Sequence, residues 1–463
     1  MVQSSVDASV NVINAHAAGI DIGAASHWVS VPPECDGQPV REFRCFTGDL
    51  YALADWLEHC GITTVAMEST GVYWIPLFQI LEARGLEVCL VNARFIKTVP
   101  GRKSDVLDCQ WLRQLHSYGL LSASFRPEAS ICVLRSYVRH RERLTQQASV
   151  HIQRMQKALS QMNLQLHRVI SDITGVTGMA IIRAIVAGER DPQRLAALRD
   201  PRVKRSPAEI AAALQGDYRV EHLFILRQEL QLYDIYGQQL AQCDEQIQAC
   251  LAEFEPQSAP EVPLSPRPKG RKASRNAPAF DLRSHLYRIS GIDFTQIDGL
   301  DALTVQTILA EVGLDPSRFP SVKHFSSWLG LSPGSRISGG KVLSSKTRKV
   351  VNRAATAFRI AAQSLTHSQT ALGAFYRRLR SHLGAPKAIT ATAHKLARIF
   401  YHLWSTGDSY IDVGAEAYEQ QYQQRVLKNL KRRARQMGFD LVPQASSSED
   451  FLEVADPVPG TVS

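Results

Sequence analysis

The chain lacks any apolar run of about 18 residues, so no segment is suited to cross a membrane. It has no CxxC pair and no Cys/His cluster at zinc spacing. Its eight cysteines (Cys35, Cys45, Cys60, Cys89, Cys109, Cys132, Cys243 and Cys250) are scattered, which fits reduced thiols in a cytoplasm. The first residues, "MVQSSVDASVNVINAHAAG", carry no basic segment followed by an apolar core, so no secretory signal is expected. No second phosphate loop or adenosine motif accompanies "GIDIG", which counts against an actin-like ATPase or sugar kinase.

What is present is length and positive charge. The 463 residues predict about two to four domains, and 44% hydrophobic with 21% charged residues is ordinary for a globular chain. The formal net charge of +9 favours a polyanionic partner, most often nucleic acid. The densest cationic run, "KNLKRRAR", lies at 428–435; by itself it reads equally well as a solvated face.

Strand and helix signals alternate over 17–119, which predicts an α/β domain with a largely parallel segment. "AAGIDIGA" reads as a strand, "HWVSVPP" and "REFRCF" as a hairpin, "DLYALADWLEHCG" as a helix and "ITTVAMES" as a buried strand. "VYWIPLFQILEARG" is a helix, "LEVCLVN" a strand, and "SDVLDCQWLRQLHSYG" a helix capped by Ser104. Over 129–254 two apolar stripes run at heptad-like spacing, Ala148 to Val169 and Leu223 to Phe254, the second interrupted at Gly237 and Asp244. They fit an antiparallel arm, an oligomerising coiled coil, or plain intramolecular packing. Residues 255–280, rich in Pro, Ser, Lys and Arg, read as a basic disordered linker. A second globular region follows at 281–405, then a basic helix and frayed tail at 406–463.

Four carboxylates stand out in the first domain. Asp21 ends the first strand, Glu68 ends the buried strand, and Asp105 and Asp108 share one helix face. Strand ends cluster at one sheet edge, so three segments can deliver four acids to one place. Such acids repel unless a divalent cation such as Mg²⁺ neutralises them, and two such ions suit phosphodiester chemistry. Taken singly, Asp21 could hold a turn, Glu68 could cap a helix and Asp105 could favour a helix dipole.

In the second region "IDGLDALTVQTILAEVG" has the form of a helix-hairpin-helix with Gly299 in its turn, a nucleic-acid motif without sequence preference. "GLSPGSRISGGKVLSSKTRK" (330–349) offers Ser335, Ser338, Ser344 and Ser345 among Arg336, Lys341, Lys346 and Arg348, in a basic loop able to hold phosphate. A serine hydroxyl needs a base or metal to become a nucleophile, and no histidine adjoins these serines. Further on, Tyr376, Arg377, Arg378, Arg380, Lys387, Lys395 and Arg398 alternate with apolar positions, as on helices with a phosphate-facing side; Phe400 and Trp404 read as core.

"GIDIG", "MESTGVYW" and "GRKSDVLDCQWL" together resemble the DEDD insertion-sequence transposases with a RuvC-like (ribonuclease-H-like) N-terminal domain. "IDGLDALTVQTILAEVG", "FSSWLGLSPGSRISGGK" and "HKLARIFYHLW" resemble the C-terminal transposase domain of the same family. The resemblance implies an α/β plus mainly α architecture: a RuvC-like domain at 1–128, a coiled-coil arm at 129–254, and a helical domain with the helix-hairpin-helix and catalytic serine at 281–405. It implies that Asp21, Glu68, Asp105 and Asp108 hold Mg²⁺ and that Ser338, alone followed by glycine, is the nucleophile. Gly299, Arg336, Lys341, Lys346, Arg348, Arg377, Arg378 and Lys395 are the expected nucleic-acid contacts. Donor and target double-stranded DNA, a structured noncoding guide RNA and a dimeric or tetrameric homo-oligomer are the implied partners. Two further readings remain distinct: a RuvC-type nuclease on branched DNA, which needs no serine, and an inert RNA-binding scaffold.

Overall fold

A computed structural model of the chain describes residues 11–92, 104–257, 264, 266, 276–348 and 350–442. The chain divides into two compact units, 1–126 and 127–463. Most of the expected 255–280 linker, and the tail from 443 onward, lie outside the described residues.

The first unit runs β1 (Ala17–Ile22), β2 (Ser26–Ser30), β3 (Val40–Arg44), α1 (Thr47–His59), β4 (Thr64–Glu68), α2 (Trp74–Ala83), β5 (Glu87–Val91) and α3 (Asp105–Ser117). Its five strands lie in the order β3-β2-β1-β4-β5. The β1–β2 and β2–β3 pairs are antiparallel; β1–β4 and β4–β5 are parallel. This mixed α/β arrangement is consistent with a ribonuclease-H-like domain. Alternation along each strand sorts the faces. Ile20, Ile22, Val65 and Met67 join Leu53, Leu57, Leu77 and Leu81 of α1 and α2 in the main core. Ala66 and Val91 meet Leu112 of α3 on the other face.

Gly19 permits that second layer. A Cβ there would lie 2.3 Å from the Arg113 backbone nitrogen and 2.4 Å from the Cys109 carbonyl oxygen, so only glycine lets α3 seat on β1. The far end of α3 is pinned where Thr64 Oγ1 meets His116 Nε2 at 2.8 Å. His116 is buried, and desolvation lowers its pKa, so it is a neutral core histidine.

The second unit is mainly helical. Helices α4 (Ala129–Gln161), α5 (Leu166–Val169), α6 (Val176–Ala187), α7 (Pro192–Ala197), α8 (Pro207–Ala213) and α9 (Val220–Glu253) come first. Then follow α10 (Leu282–Ser290), α11 (Ala302–Val312), α12 (Val322–Trp328), β6 (Arg336–Ser338), β7 (Lys341–Ser344), α13 (Arg353–Ser364), α14 (Ala371–Leu383), α15 (Ala385–Thr406) and α16 (Gly414–Gln436).

Helices α4 and α9 pack antiparallel: Arg141 pairs with Asp244 near one end, and His151 with Glu229 (2.5 Å) further along. The expected break in α9 is absent, because the helix is continuous through Gly237 and Asp244. Asp244 is not a flaw in the seam; it neutralises Arg141, whose guanidinium also donates to the Asn276 carbonyl at 2.8 Å. The first stripe does break: α4 stops at Gln161, and Leu166 and Val169 belong to α5. Asn163 at φ 55° turns the chain there. Near its start α4 clamps α11: Arg135 donates to the carbonyls of Ala310 and Glu311 at 2.9 Å, and Arg139 grips the Glu311 carboxylate with two bonds of 2.7 Å.

Replacing Gly19 with Ala tests the seat of α3. Overpacking against backbone cannot relax by rotamer change, so a cost of about 3 kcal/mol or more is expected. A thermal midpoint equal to that of the native chain refutes the close-approach account.

Candidate active site

Ile20 on β1 is in register with Met67 on β4, so the next pair along these parallel strands is Asp21 and Glu68. Both stand two residues beyond positions that face α3, Gly19 and Ala66, and so point to the α3 side. Ser104 caps α3 by accepting the Leu107 N–H at 3.3 Å, which places Asp105 and Asp108 in the first turn beside the positive end of the helix. Thr70 donates its hydroxyl to Glu68 Oε1 at 3.0 Å and fixes that carboxylate.

Electrostatics tie the four acids together. The Asp21 carboxyl is pushed up to about 6 by burial first, then by the charges of Glu68, Asp105 and Asp108, against a lowering hydrogen bond from the Ile22 backbone. Among the described residues, however, no three His, Cys, Asp or Glu side chains stand close enough to hold a metal ion. The four therefore share one sheet edge and one electrostatic field without forming a closed ligand set. Cys109, next to Asp108, is pushed up to about 12 by burial and then by Asp21, so it is an inert thiol.

The serine segment of the second unit is a hairpin, not the open loop expected from its composition. β6 and β7 are antiparallel, and Gly339 and Gly340 turn between them at φ 54° and 75°. Both central residues at positive φ make the tight turn that Gly-Gly favours. Its base is fastened by the Pro333–Thr347 bridge, by the Gly334 N–H to the Lys346 carbonyl at 2.9 Å, and by Arg348 donating to Ser327 Oγ at 3.0 Å. Its tip is exposed and carries Ser338 directly opposite Lys341, so hydroxyl and ammonium share one face. Ser344 accepts the Lys346 N–H at 3.3 Å and belongs to the fold of the hairpin.

Other predicted contacts have structural duties. Gly299, at φ 87°, sits against α13: a Cβ would lie 2.7 Å from the Ala361 carbonyl oxygen. Its glycine is thus required by packing, whatever its turn also binds. Arg377 donates to the Ser368 carbonyl at 2.5 Å, and Arg378 engages Tyr418 and Glu419. Lys395 lies 5.6 Å from the Phe375 ring centroid, and burial, then Arg398 and Arg425, lowers its pKa. Phe400 and Trp404 are buried in an aromatic core. Arg336, Lys341 and Lys346 are surface cations of the hairpin.

Two comparisons with known families bear on this arrangement. Residues 18–164 match the transposase family DEDD_Tnp_IS110, and residues 293–377 match the transposase IS116/IS110/IS902 family. The chain is an IS110-family DEDD transposase. No curated protein matches it. The first match contains all four acids and the second contains Gly299 and the serine hairpin, so the DNA-transposase assignment rests on both units. The transposase has no helix, among its described residues, long and apolar enough to cross a membrane.

Sequence reasoning missed Gly19, although its signal is a local one: a glycine two residues before Asp21 on the same strand face. It also missed the Gly339–Gly340 turn between two short alternating segments.

A testable pH dependence follows from Asp21. Its acid is weaker folded (about 6) than unfolded (3.8), so the folded state holds the proton more tightly. Stability is therefore greatest below the unfolded value and is lost as pH rises through about 6. Because the group is only half-buried, the penalty at pH 7 is discounted to roughly 1–2 kcal/mol. Asp21→Asn is expected to raise the melting temperature in a chelator at pH 7 and to change it little at pH 4. Equal effects at the two pH values rule out this origin.

Proposed function

We propose that this transposase carries out RNA-guided, Mg²⁺-dependent DNA strand cleavage and exchange through a serine-phosphate intermediate. The observation that carries the metal reading is the Asp21 carboxyl, raised first by burial and then by three neighbouring carboxylates at one sheet edge. The donor set is all hard oxygen, which suits Mg²⁺, and Asp21, Glu68, Asp105 and Asp108 would hold it. When bound, the ion would supply charge neutralisation and Lewis-acid polarisation of phosphate oxygens.

Ser338 is read as the nucleophile because it is exposed on a hairpin tip whose base is fastened, and because Lys341 stands beside it. Its Oγ forms a bond to phosphorus as the P–O bond to the departing sugar oxygen breaks. The serine proton leaves, and the sugar oxygen gains a proton. Attack by a second strand's hydroxyl on the phosphoserine reverses the balance and restores the serine. Lys341, Arg336 and Lys346 stabilise charge on the phosphate. The serine and the acids lie in different units.

Duplex DNA, donor and target, is the substrate, and a structured noncoding RNA is the proposed guide. The turn before α11 is read as a helix-hairpin-helix contact to backbone phosphate. The α4–α9 pair is read as a coiled-coil arm that oligomerises the protein. In support, Val220, Phe224, Leu232 and Ile235 form an exposed apolar stripe on α9, away from buried Leu226 and Leu230. The second reading, a RuvC-type nuclease on branched DNA, is favoured by the same acids but gives Ser338 no task.

Ser338→Ala separates the two. It is expected to abolish strand transfer and the covalent protein–DNA species while duplex binding persists; cutting at the native rate refutes the nucleophile. Asp21→Ala is expected to lower strand transfer by at least about a thousandfold, on the scale of losing a main electrostatic contributor. Undiminished recombination in that variant excludes the metal reading.

A further inference from the structure

Helix α16 lies beyond both matched regions, and its two halves differ in character. The first half holds Glu416 and Glu419 and docks on α14. Arg378 of α14 stands 3.4 Å from the Tyr422 ring centroid and 4.8 Å from that of Tyr418, and donates to the Tyr418 hydroxyl at 3.0 Å. The second half reads "QRVLKNLKRRARQ" from 424 to 436 and contains no acid. Every residue from 423 to 433 is exposed. Among the described residues, the acid paired with this half is Asp440, beyond the helix, which reaches Arg435 at 3.3 Å with both side chains largely in solvent; such a pair contributes little.

The cations are arranged, not merely numerous. At 3.6 residues per turn, Arg425, Lys428, Asn429, Arg432, Arg433 and Arg435 fall within one arc of about 160° that runs about 15 Å along the axis. Leu427, Leu430 and Ala434 occupy the opposite side. Within the arc, Asn429 is flanked by Arg432 on one side and Arg433 on the other. A helix with side chains is about 10–12 Å across and fits the DNA major groove, about 12 Å wide. Flanking cations then meet phosphates on both walls, and a central amide meets base edges, where asparagine pairs with adenine. The A-form RNA groove is too deep and narrow to admit such a helix. The apolar side, with no aromatic residue among Leu427, Leu430 and Ala434, is too slight for a lipid interface.

We infer that the second half of α16 is a duplex-DNA-binding helix that seats in the major groove, an anchoring contact outside the two transposase regions. The inference rests on the reading that the protein acts on DNA.

The test uses the full chain with Lys428, Arg432, Arg433 and Arg435 changed to Gln. Binding to a fluorescein-labelled DNA duplex is followed by anisotropy between about 50 and 200 mM salt. The slope of log affinity against log salt is expected to shrink by about 3–4, near 0.9 per lost phosphate contact, with at least a tenfold loss of affinity at the lower salt. Native affinity and slope in the variant overturn the inference while leaving the transposase reading intact. A native chain that binds no duplex overturns both. A loss confined to an A-form RNA duplex overturns the choice of DNA, and a change only in oligomer mass overturns the groove in favour of a protein interface. Should the fourfold variant melt early, Lys428→Gln and Arg432→Gln are made singly; each is expected to lower the slope by about 0.9, and a native slope in both overturns the inference.

Discussion

The close approach of α3 to β1 is the constraint on which the first unit depends. Backbone packs on backbone where a side chain would stand, with the Arg113 nitrogen 2.3 Å and the Cys109 oxygen 2.4 Å from the missing Cβ of Gly19. Two residues further along β1 the same face carries Asp21, and α3 carries Asp105 one turn back from Cys109 and Asp108 directly before it. Seating the helix and gathering the acids are thus one event. The main core of α1, α2 and the sheet supplies the stability that lets the opposite face hold mutually repelling charge. Burial and, after it, charge repulsion at Asp21 are the cost of that geometry, and a divalent cation is the partner whose chemistry would offset the repulsion.

The second unit solves a different problem, which is to present a short hairpin stiffly. A two-stranded sheet is marginal alone. Here Pro333, Gly334 and Arg348 fasten its base, while the clamp of Arg135 and Arg139 on Glu311 joins α4 to α11 within the same unit. The tip is left with exposed Ile337 and Val342 on the side away from Ser338 and Lys341. Pairing a fastened base with an open tip suits the nucleophilic role proposed for Ser338, which requires a held orientation beside a large substrate.

Much of the first unit could be read from the chain because its signals are local. Strand alternation, the glycine stop after α1 and the serine cap of α3 each lie within a few residues of what they determine. The positions of the four acids were legible for the same reason: each sits at a strand end or in a first helical turn. What escaped the sequence depends on partners distant along the chain. Gly299 looks like a turn glycine until the Ala361 carbonyl is found beside it. Asp244 looks like a break in an apolar seam until Arg141, 103 residues earlier, is found against it. No local pattern encodes either contact.

The same distinction governs the cations, and it changes what the net charge of +9 means. Arg139, Arg141 and Arg378 are paired with the carboxylates of Glu311, Asp244 and Glu419 inside the second unit, so each adds to the composition while its charge is offset locally. Arg377 and Arg348 are similarly engaged with carbonyl groups of Ser368 and Ser327. Arg378 shows why spacing alone misleads: its place on an amphipathic basic helix is that of a phosphate contact, yet its planar guanidinium is better matched to two tyrosine faces and a carboxylate than to solvent. Arg336, Lys341 and Lys346 of the hairpin, and Lys428, Lys431, Arg432 and Arg433 of the second half of α16, are exposed cations. Field strength at a surface follows the cations left unneutralised, so these exposed runs draw a polyanion more than arginines paired with carboxylates do.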